Sequence, residues 1–170
     1  EPVQGMPFAG GSGTELNPFI IENIWELQNM SDDLTAHYEL GDDIDASLTH
    51  GWTDGFDPIG DSTTGFTGSL NGKGFCISNL FINRSSESRV GLFGDMDAGC
   101  TVSNVTLTNF NITGGSNQVG GFVGFNAGNI IDCQASGTLS GSADCGVFMG
   151  YNAGGTIIDC HTSGSIAGTI

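Results

Sequence analysis

The sequence predicts an all-β fold, a right-handed parallel β-helix (solenoid) with a short N-terminal cap that contains a helix. The main observation is a repeat in the last third of the chain, where residues 121–141 read GFVGFNAGNIIDCQASGTLSG and residues 147–168 read VFMGYNAGGTIIDCHTSGSIAG. Each copy consists of short β-type runs broken by Gly and Asn-Ala-Gly corners, without helical periodicity. A unit this small has no core of its own and must stack on its neighbour, as the coils of a solenoid do.

The two copies fix the coil length. Gly124 matches Gly150 at a spacing of 26 residues (150 − 124), and Cys133 matches Cys160 at a spacing of 27 (160 − 133), because one Gly is inserted between the two matches. Looser copies lie upstream at 74–83 and 90–114, where 77–80 (ISNL) and 102–105 (VSNV) are interpreted as the same element. Strands of successive coils would lie ~4.8 Å apart. Alternate apolar side chains would then point inward and form continuous ladders: Val102, Leu107, Ile112, Phe122, Ile130, Leu139, Phe148, Ile157 and Ile166.

The first third of the chain differs from the repeats and predicts a cap. We expect one domain with three segments: an N-terminal extension at 1–12, a cap region at 13–60 and solenoid repeats at 61–170. Strands are predicted at 17–21 and 37–40. Asn23 followed by Glu26 resembles a helix start, which places Ile24, Leu27 and Met30 on one helical face. Such a helix would cover the bare strand edges of the first coil.

The charge balance excludes some classes of partner. The chain has 19 acidic residues and three basic ones, Lys73, Arg84 and Arg89, for a net charge of −16. This surface repels phosphate backbones, so we predict no nucleic-acid binding. No apolar run approaches the ~20 residues that span a bilayer, so membrane insertion is not expected. Because the chain begins at Glu1 without Met, we interpret it as a secreted, mature product.

Five cysteines, an odd number, leave at least one without an intramolecular partner. Cys133 and Cys160 occupy the same place in successive repeats, so their Cα atoms would lie within the ~4.4–6.8 Å range of a disulfide. Two interpretations stay open: reduced cysteines that fill the core, or bridges between molecules. No Cys-x₂-Cys pair is present to predict zinc. The disulfide or intermolecular candidates are Cys76, Cys100, Cys133, Cys145 and Cys160.

A stretch rich in aspartate offers oxygen ligands of the kind that Ca²⁺ prefers. It lacks an EF-hand or a calcium-binding nonapeptide, and solvated turn carboxylates are the competing interpretation. We therefore expect no cofactor, with calcium as the possible exception, and the candidate calcium ligands are Asp42, Asp43, Asp45, Asp54 and Asp57, with Asp61 nearby.

Four Asn-x-Ser/Thr triplets are candidate glycosylation sites, as in exported proteins: Asn29, Asn83, Asn104 and Asn111. Catalysis is not predicted. Lys73 lies in a Gly-Lys-Gly turn, and His37, His50 and His161 lie far apart without a nucleophile motif. Paired carboxylates for glycoside hydrolysis stay possible, because spatial pairs are invisible in a sequence.

The chain resembles the GLUG-motif family of extracellular proteins, which occurs in filamentous-haemagglutinin-like adhesins, some secreted peptidases and archaeal surface proteins. The resemblance runs from about residue 10 to 168. It rests on residues 13–21 (GTELNPFII), 38–40 (YEL), 43–45 (DID), Trp52, 58–60 (PIG), 66–68 (FTG), 72–74 (GKG), 90–94 (VGLFG) and 121–124 (GFVG). It implies a β-helix in an exported protein, but no single activity. A short, acidic, cysteine-bearing chain also resembles the envelope sheath subunits of some methanogenic archaea.

Two functions follow as expectations. The first is an extracellular structural subunit that self-assembles into a cell-surface layer, sheath or filament. Its solenoid ends or edges would make a homo-oligomer or polymer, and disulfides could link the subunits. The chain ends directly after a repeat, so an uncapped coil would be a template for another strand. The alternative is an adhesin or glycan-binding module with glycans or a cell surface as its partner, for which Phe125 and Tyr151 are aromatic candidates.

Overall fold

The computed structural model describes residues 7–115 and 117–168. The only α-helix among them is α1 (Ile24–Gln28), and 3₁₀ turns occupy Asn29–Asp32 and Ser47–Gly51. The strands are β1 (Phe19–Ile21), β2 (His37–Leu40), β3 (Ile44–Asp45), β4 (Ser69–Asn71), β5 (Cys76–Ser78), β6 (Phe81–Arg84), β7 (Phe93–Met96), β8 (Thr101–Ser103), β9 (Thr106–Gly114), β10 (Val119–Gly120), β11 (Val123–Asn126), β12 (Asn129–Ile131), β13 (Gln134–Gly141), β14 (Cys145–Gly146), β15 (Met149–Asn152), β16 (Thr156–Ile158) and β17 (His161–Gly168).

These strands form a parallel β-solenoid, which confirms the predicted fold class. Sheet A has the order β1-β2-β4-β8-β12-β16, and sheet B has the order β3-β5-β9-β13-β17, with β6 beside the second half of β9. Sheet C has the order β15-β11-β7, and β10 pairs with β14. In the later coils the chain passes from sheet C to sheet A to sheet B, and each strand pairs in parallel with its counterpart one coil away.

The register of the last two coils agrees with the repeat. Ile130 pairs with Ile157, and Leu139 pairs with Ile166. One predicted equivalence is wrong. Ile77 pairs with Leu107 in sheet B, whereas Val102 pairs with Leu70 in sheet A. The two segments look alike because each ends at a corner where an Asn takes a left-handed φ, 61° at Asn79 and 56° at Asn104, a conformation that Asn tolerates better than most residues.

The predicted inward side chains form the core. Val102, Leu107, Ile112, Phe122 and Ile130 are fully buried, Leu139 is 2% exposed and Phe148 is 9% exposed. Ile157 and Ile166 continue the same ladders but are 41% and 46% exposed, because they lie on the last described coil.

An aromatic ladder, which the sequence analysis did not predict, runs along the solenoid axis. Neighbouring ring centroids along it are 4.5–6.4 Å apart. This is the range in which aromatic pairs attract one another beyond their burial. Its members, in order, are Phe8, Phe19, Tyr38, Phe66, Phe93, Phe122 and Phe148.

Helix α1 covers the core at the N-terminal end, as predicted. The Asn23 side chain accepts hydrogen bonds from the backbone N–H groups of Trp25 and Glu26, both at 3.1 Å. Ile24, Leu27 and Met30 are buried in the core. The Gln28 side chain fixes the helix by bonding to the backbone of Asp57 in both directions.

The predicted cap region and the solenoid are continuous. β1, β2 and β3 already belong to sheets A and B, so parallel stacking begins before residue 61. Within the predicted N-terminal extension, residues 1–6 lie outside the described residues, and Gly10 forms an antiparallel bridge with Ile20 of β1. The aspartate-rich turns and the helix are therefore parts of the first coils.

Candidate functional site

The coil formed by β15, β16 and β17 has apolar side chains open to solvent. In the described part of the chain these strands lie at the ends of sheets C, A and B, so their outer edges have no neighbour. Ile157 and Ile166 continue the interior ladders, and Ile158 beside them is 45% exposed. Unpaired strand edges together with apolar ladder ends favour the addition of another strand. We call this surface the open coil.

The five cysteines are all free thiols. Cys133 is buried at a corner of the coil, where its Sγ contacts the backbone oxygen of Ile131 at 3.3 Å, and Cys160 makes the equivalent contact with Ile158 at 3.2 Å. Cys100 is also buried. Burial raises the pKa of the Cys100 and Cys133 thiols to about 12 in each case, so both stay protonated at neutral pH.

The other three cysteines are half-buried. Cys76 lies on the outer face of sheet B, where its Sγ is 3.2 Å from the Thr108 hydroxyl. Cys145 and Cys160 lie on the last described coil, and burial raises the pKa of the Cys145 thiol. Disulfide bridges between molecules stay a prediction, and these three half-buried cysteines are the accessible candidates for them.

The aspartates of the predicted calcium site are spread over separate turns. Asp45 accepts hydrogen bonds from the Asn79 amide and from the backbone N–H and the hydroxyl of Ser47, and these bonds lower its pKa. Asp43 accepts from the Cys76 N–H, and Asp42 accepts from the Asp43 N–H.

The remaining aspartates are also separated. Asp54 has a left-handed φ of 61°. Asp57 pairs with Arg84 at 3.1 Å, and Asp61 accepts from the backbone of Thr63 and Thr64. Among the described residues no three His, Cys, Asp or Glu side chains are grouped so as to hold a metal ion. Calcium binding therefore stays a prediction without a cluster to carry it.

The four candidate glycosylation sites differ in accessibility. Asn29 is 6% exposed, within the 3₁₀ turn that follows α1. Asn83, Asn104 and Asn111 are exposed, with Asn83 on β6 and Asn111 on β9. The folded chain therefore presents three of the four sites to solvent.

The aromatic pair proposed for glycan binding lies on the outer face of sheet C. Phe125 and Tyr151 stack with centroids 5.5 Å apart, and Tyr151 is 46% exposed. The Arg89 guanidinium lies 4.2 Å from the centroid of the Phe125 ring and also bonds to Asp95. Asp95 of β7 is the register partner of Phe125 on the preceding coil. Arg89 and Tyr151 therefore both contact the Phe125 ring, and glycan binding by this pair stays a prediction.

All three cationic side chains are paired within the chain. Lys73 pairs with Glu39 at 3.6 Å, Arg84 pairs with Asp57 and Glu87, and Arg89 pairs with Asp95. Among the described residues, internal pairing therefore occupies each of these cations, which are the groups that would contact a phosphate backbone. The absence of nucleic-acid binding stays a prediction from the net charge.

One pair resembles a nucleophile with its base. His37 Nδ1 lies 2.7 Å from the Ser69 hydroxyl on the outer face of sheet A. A catalytic pair also needs a group that orients the imidazole and donors for an oxyanion. Among the described residues, the second ring nitrogen of His37 makes no hydrogen bond to a carboxylate. We interpret the contact as a cross-strand polar pair.

The family model of the GLUG motif matches residues 115–140. The chain contains the GLUG motif. The match spans β10, β11, β12 and most of β13, one full coil of the solenoid. It confirms the resemblance to GLUG-motif proteins, and the narrower resemblance to archaeal sheath subunits stays a prediction.

Two curated relatives share this sequence pattern. Halomucin of Haloquadratum walsbyi is 41% identical over 150 residues, which are 82% of this chain and 2% of halomucin. A protein of Evansella cellulosilytica, provisionally named a Gly-rich membrane protein, is 41% identical over 129 residues, 72% of this chain and 15% of that protein. The chain thus spans a small fraction of the length of either relative.

A solved structure shares the fold. It is a crystal structure from Bacteroides ovatus, provisionally titled an immunoglobulin A1 protease. It matches with a TM-score of 0.66 at 20% identity, over 93% of this chain and 50% of that one. At this identity the likeness concerns the fold alone. No helix in the described part of this chain is long and apolar enough to cross a membrane.

Proposed function

We propose that this chain is a structural solenoid segment of a cell-surface protein, and that its open coil associates with the open coil of a second copy. The observation that carries the association is the exposure of Ile157 and Ile166, which lie on the interior ladders and yet face solvent. We propose no catalytic role.

Placement at the cell surface is supported by the relatives. One of them carries membrane protein in its name, and both contain the pattern of this chain within a much longer polypeptide. The excess of acidic over basic residues agrees with this placement, because a highly charged surface keeps an exported protein soluble.

Pairing through the open coil is supported by the difference between the two ends. At the other end of the described solenoid, α1 buries Ile24 and Leu27 over the core, and among residues 7–45 no ladder residue is exposed as Ile157 and Ile166 are. Extension of such pairs into a layer or sheath would need a further contact between molecules. The half-buried Cys76 on the outer face of sheet B is a candidate for this contact.

Sedimentation equilibrium of the chain, over a range of protein concentrations, tests the pairing. We expect reversible dimers in the parent chain and monomers in the Ile157→Lys, Ile166→Lys double variant, since buried lysines would face each other in the contact. Leu48→Lys is the matched control, because Leu48 is 56% exposed in the cap and lies outside the open coil. A parent chain that stays monomeric at every concentration would contradict the proposal.

Brief protease treatment of intact cells that produce the protein tests the placement. A surface protein would lose peptides of this chain while cytoplasmic marker proteins stay intact. Peptides that survive until the cells are lysed would contradict a surface location.

A further inference from the structure

The three strands of the open coil contain no Asp, Glu, Lys or Arg. β15 reads MGYN, β16 reads TII and β17 reads HTSGSIAG. The chain as a whole has a net charge of −16, so two copies of it repel each other over most of their surfaces. The open coil is therefore a place where a second copy can approach.

The strand lengths determine how two open coils fit together. A pair that joins the same surface of two identical copies has a two-fold axis. This axis is perpendicular to the solenoid axis, so strands of the two copies run antiparallel across the contact. One strand lies on the axis and pairs with its own counterpart, while the other two pair with each other. β17 has eight residues, β15 has four and β16 has three. An axis through β17 is the arrangement that pairs every strand with one of similar length.

Both ends of β17 lie next to an acidic corner. Asp159 is at the corner before β17, and Asp144 is at the corner after β13. Gly168, the last residue of β17, pairs with Gly141 of β13, so the end of β17 lies beside the corner that holds Asp144. Asp144 and Asp159 are both exposed. The open coil is therefore uncharged along its strands and negative at both ends of β17.

Antiparallel pairing brings the two acidic corners together. The start of β17 in one copy faces the end of β17 in the other, so Asp159 of each copy faces Asp144 of its counterpart. These like charges oppose the contact twice, once on each side of the axis. The cations of the chain pair with other carboxylates.

Dissolved salt weakens such a repulsion, because the screening length falls from about 10 Å at 0.1 M salt to about 3 Å at 1 M. We propose that ionic strength controls the pairing of open coils through the contact between Asp144 and Asp159. The copies separate in dilute salt and pair in concentrated salt, where the apolar contact of Ile157 and Ile166 is no longer opposed. This inference rests on the pairing proposed above and adds its regulation.

Sedimentation equilibrium in dilute and concentrated sodium chloride tests the inference. We expect the Kd of the parent pair to be roughly tenfold or more lower at about 1 M salt than at about 0.05 M. Asp144→Arg and Asp159→Arg, each made alone, place opposite charges across the contact. At the lower salt concentration each should pair roughly tenfold more tightly than the parent chain. The double variant Asp144→Arg, Asp159→Arg restores like charges, so it should again need salt in order to pair.

The matched control is Asp54→Arg, which makes the same change in net charge in the first half of the solenoid. Asp54 is exposed and has a left-handed φ of 61°, as Asp144 and Asp159 have φ values of 47° and 52°. This control should change the Kd by less than about threefold, since it alters only the overall charge. Arginine is accepted in this conformation, because Arg89 has a φ of 59°.

Two results would overturn the regulation and leave the pairing standing. The first is a parent Kd that does not change with salt. The second is a double variant that pairs more tightly than either single variant, or an Asp54→Arg variant that pairs as tightly as they do, because overall charge would then decide the affinity. A parent chain that stays monomeric at every salt and protein concentration would contradict the pairing itself, and this inference with it.

Discussion

The rings of Phe122 and Phe148 stack with their centroids 5.2 Å apart and their planes 5° from parallel. Phe122 is fully buried between two coils, whereas Phe148 lies on the last described coil and is 9% exposed. The pair shows how this fold is stabilised: each coil completes the burial of the coil before it. Stability is then a sum of contacts between neighbouring coils, as in other repeat proteins.

Removal of one ring from the middle of the aromatic ladder should destabilise the whole chain. Phe93 lies between Phe66 and Phe122 and is fully buried, so Phe93→Ala should lower the free energy of unfolding by about 3–5 kcal/mol. Urea denaturation followed by circular dichroism measures the loss. The control is Phe125→Ala, on the next coil but facing outward. Equal losses in both variants would show that the ladder has no special role.

Loss of the helix cap should destabilise the N-terminal end. Asn23→Ala removes the acceptor for the N–H groups of Trp25 and Glu26 and should lower the free energy of unfolding by about 1 kcal/mol. Asn23→Asp keeps a capping oxygen and serves as the control. The same urea titration measures both variants. A loss in Asn23→Asp as large as that in Asn23→Ala would contradict a capping role.

Removal of Arg89 should make stability depend on pH. Asp95 is 3% exposed, and burial raises its pKa while the Arg89 guanidinium opposes the rise. Arg89→Gln leaves a buried carboxylate without its cation and should cost about 3 kcal/mol at neutral pH.

The sign of the pH effect follows from this raised pKa. The folded variant holds a proton on Asp95 at pH values where the unfolded chain has lost it. The stability that the variant lacks relative to the parent chain should therefore shrink as the pH falls through the folded pKa of Asp95. Thermal melts at a series of pH values measure this. Lys73→Gln, which removes an exposed pair, should cost less than about 1 kcal/mol. A loss of stability in Arg89→Gln that does not change with pH would contradict a raised pKa of Asp95 in the folded variant.

The thiols should fall into two classes of reactivity. Cys100 and Cys133 are buried, with pKa values of about 12, so iodoacetamide at mildly alkaline pH should leave them unmodified in the folded chain. The half-buried Cys76, Cys145 and Cys160 should react first. Peptide mass spectrometry after timed alkylation gives the order. Early modification of Cys133 would contradict its place in the core.

The sequence was sufficient to predict the solenoid, because the repeat carries both the strand pattern and the coil length. Asn23 and Glu26 were sufficient to predict α1. The aromatic ladder was not predicted, since Phe19, Tyr38, Phe66 and Phe93 stand at unequal spacings in the longer upstream coils. Residues 77–80 and 102–105 were wrongly aligned because Asn79 and Asn104 form the same kind of left-handed corner. The local turn does not tell which of the two sheets the preceding strand belongs to.

The candidate sites were less predictable than the fold. The open coil was predicted from the repeat at the end of the chain, and Ile157 and Ile166 were predicted as ladder residues, but their exposure of 41% and 46% is known only from the structure. The aspartates share a stretch of sequence, yet the coil separates them into different turns.

Hydrogen exchange at low and high protein concentration tests the pairing of open coils most directly. If open coils pair, the backbone amides of β16 and β17 should gain protection as the concentration rises, while those of β1 and α1 should not change. Protection that is independent of concentration, or that appears on another face, would contradict association through the open coil.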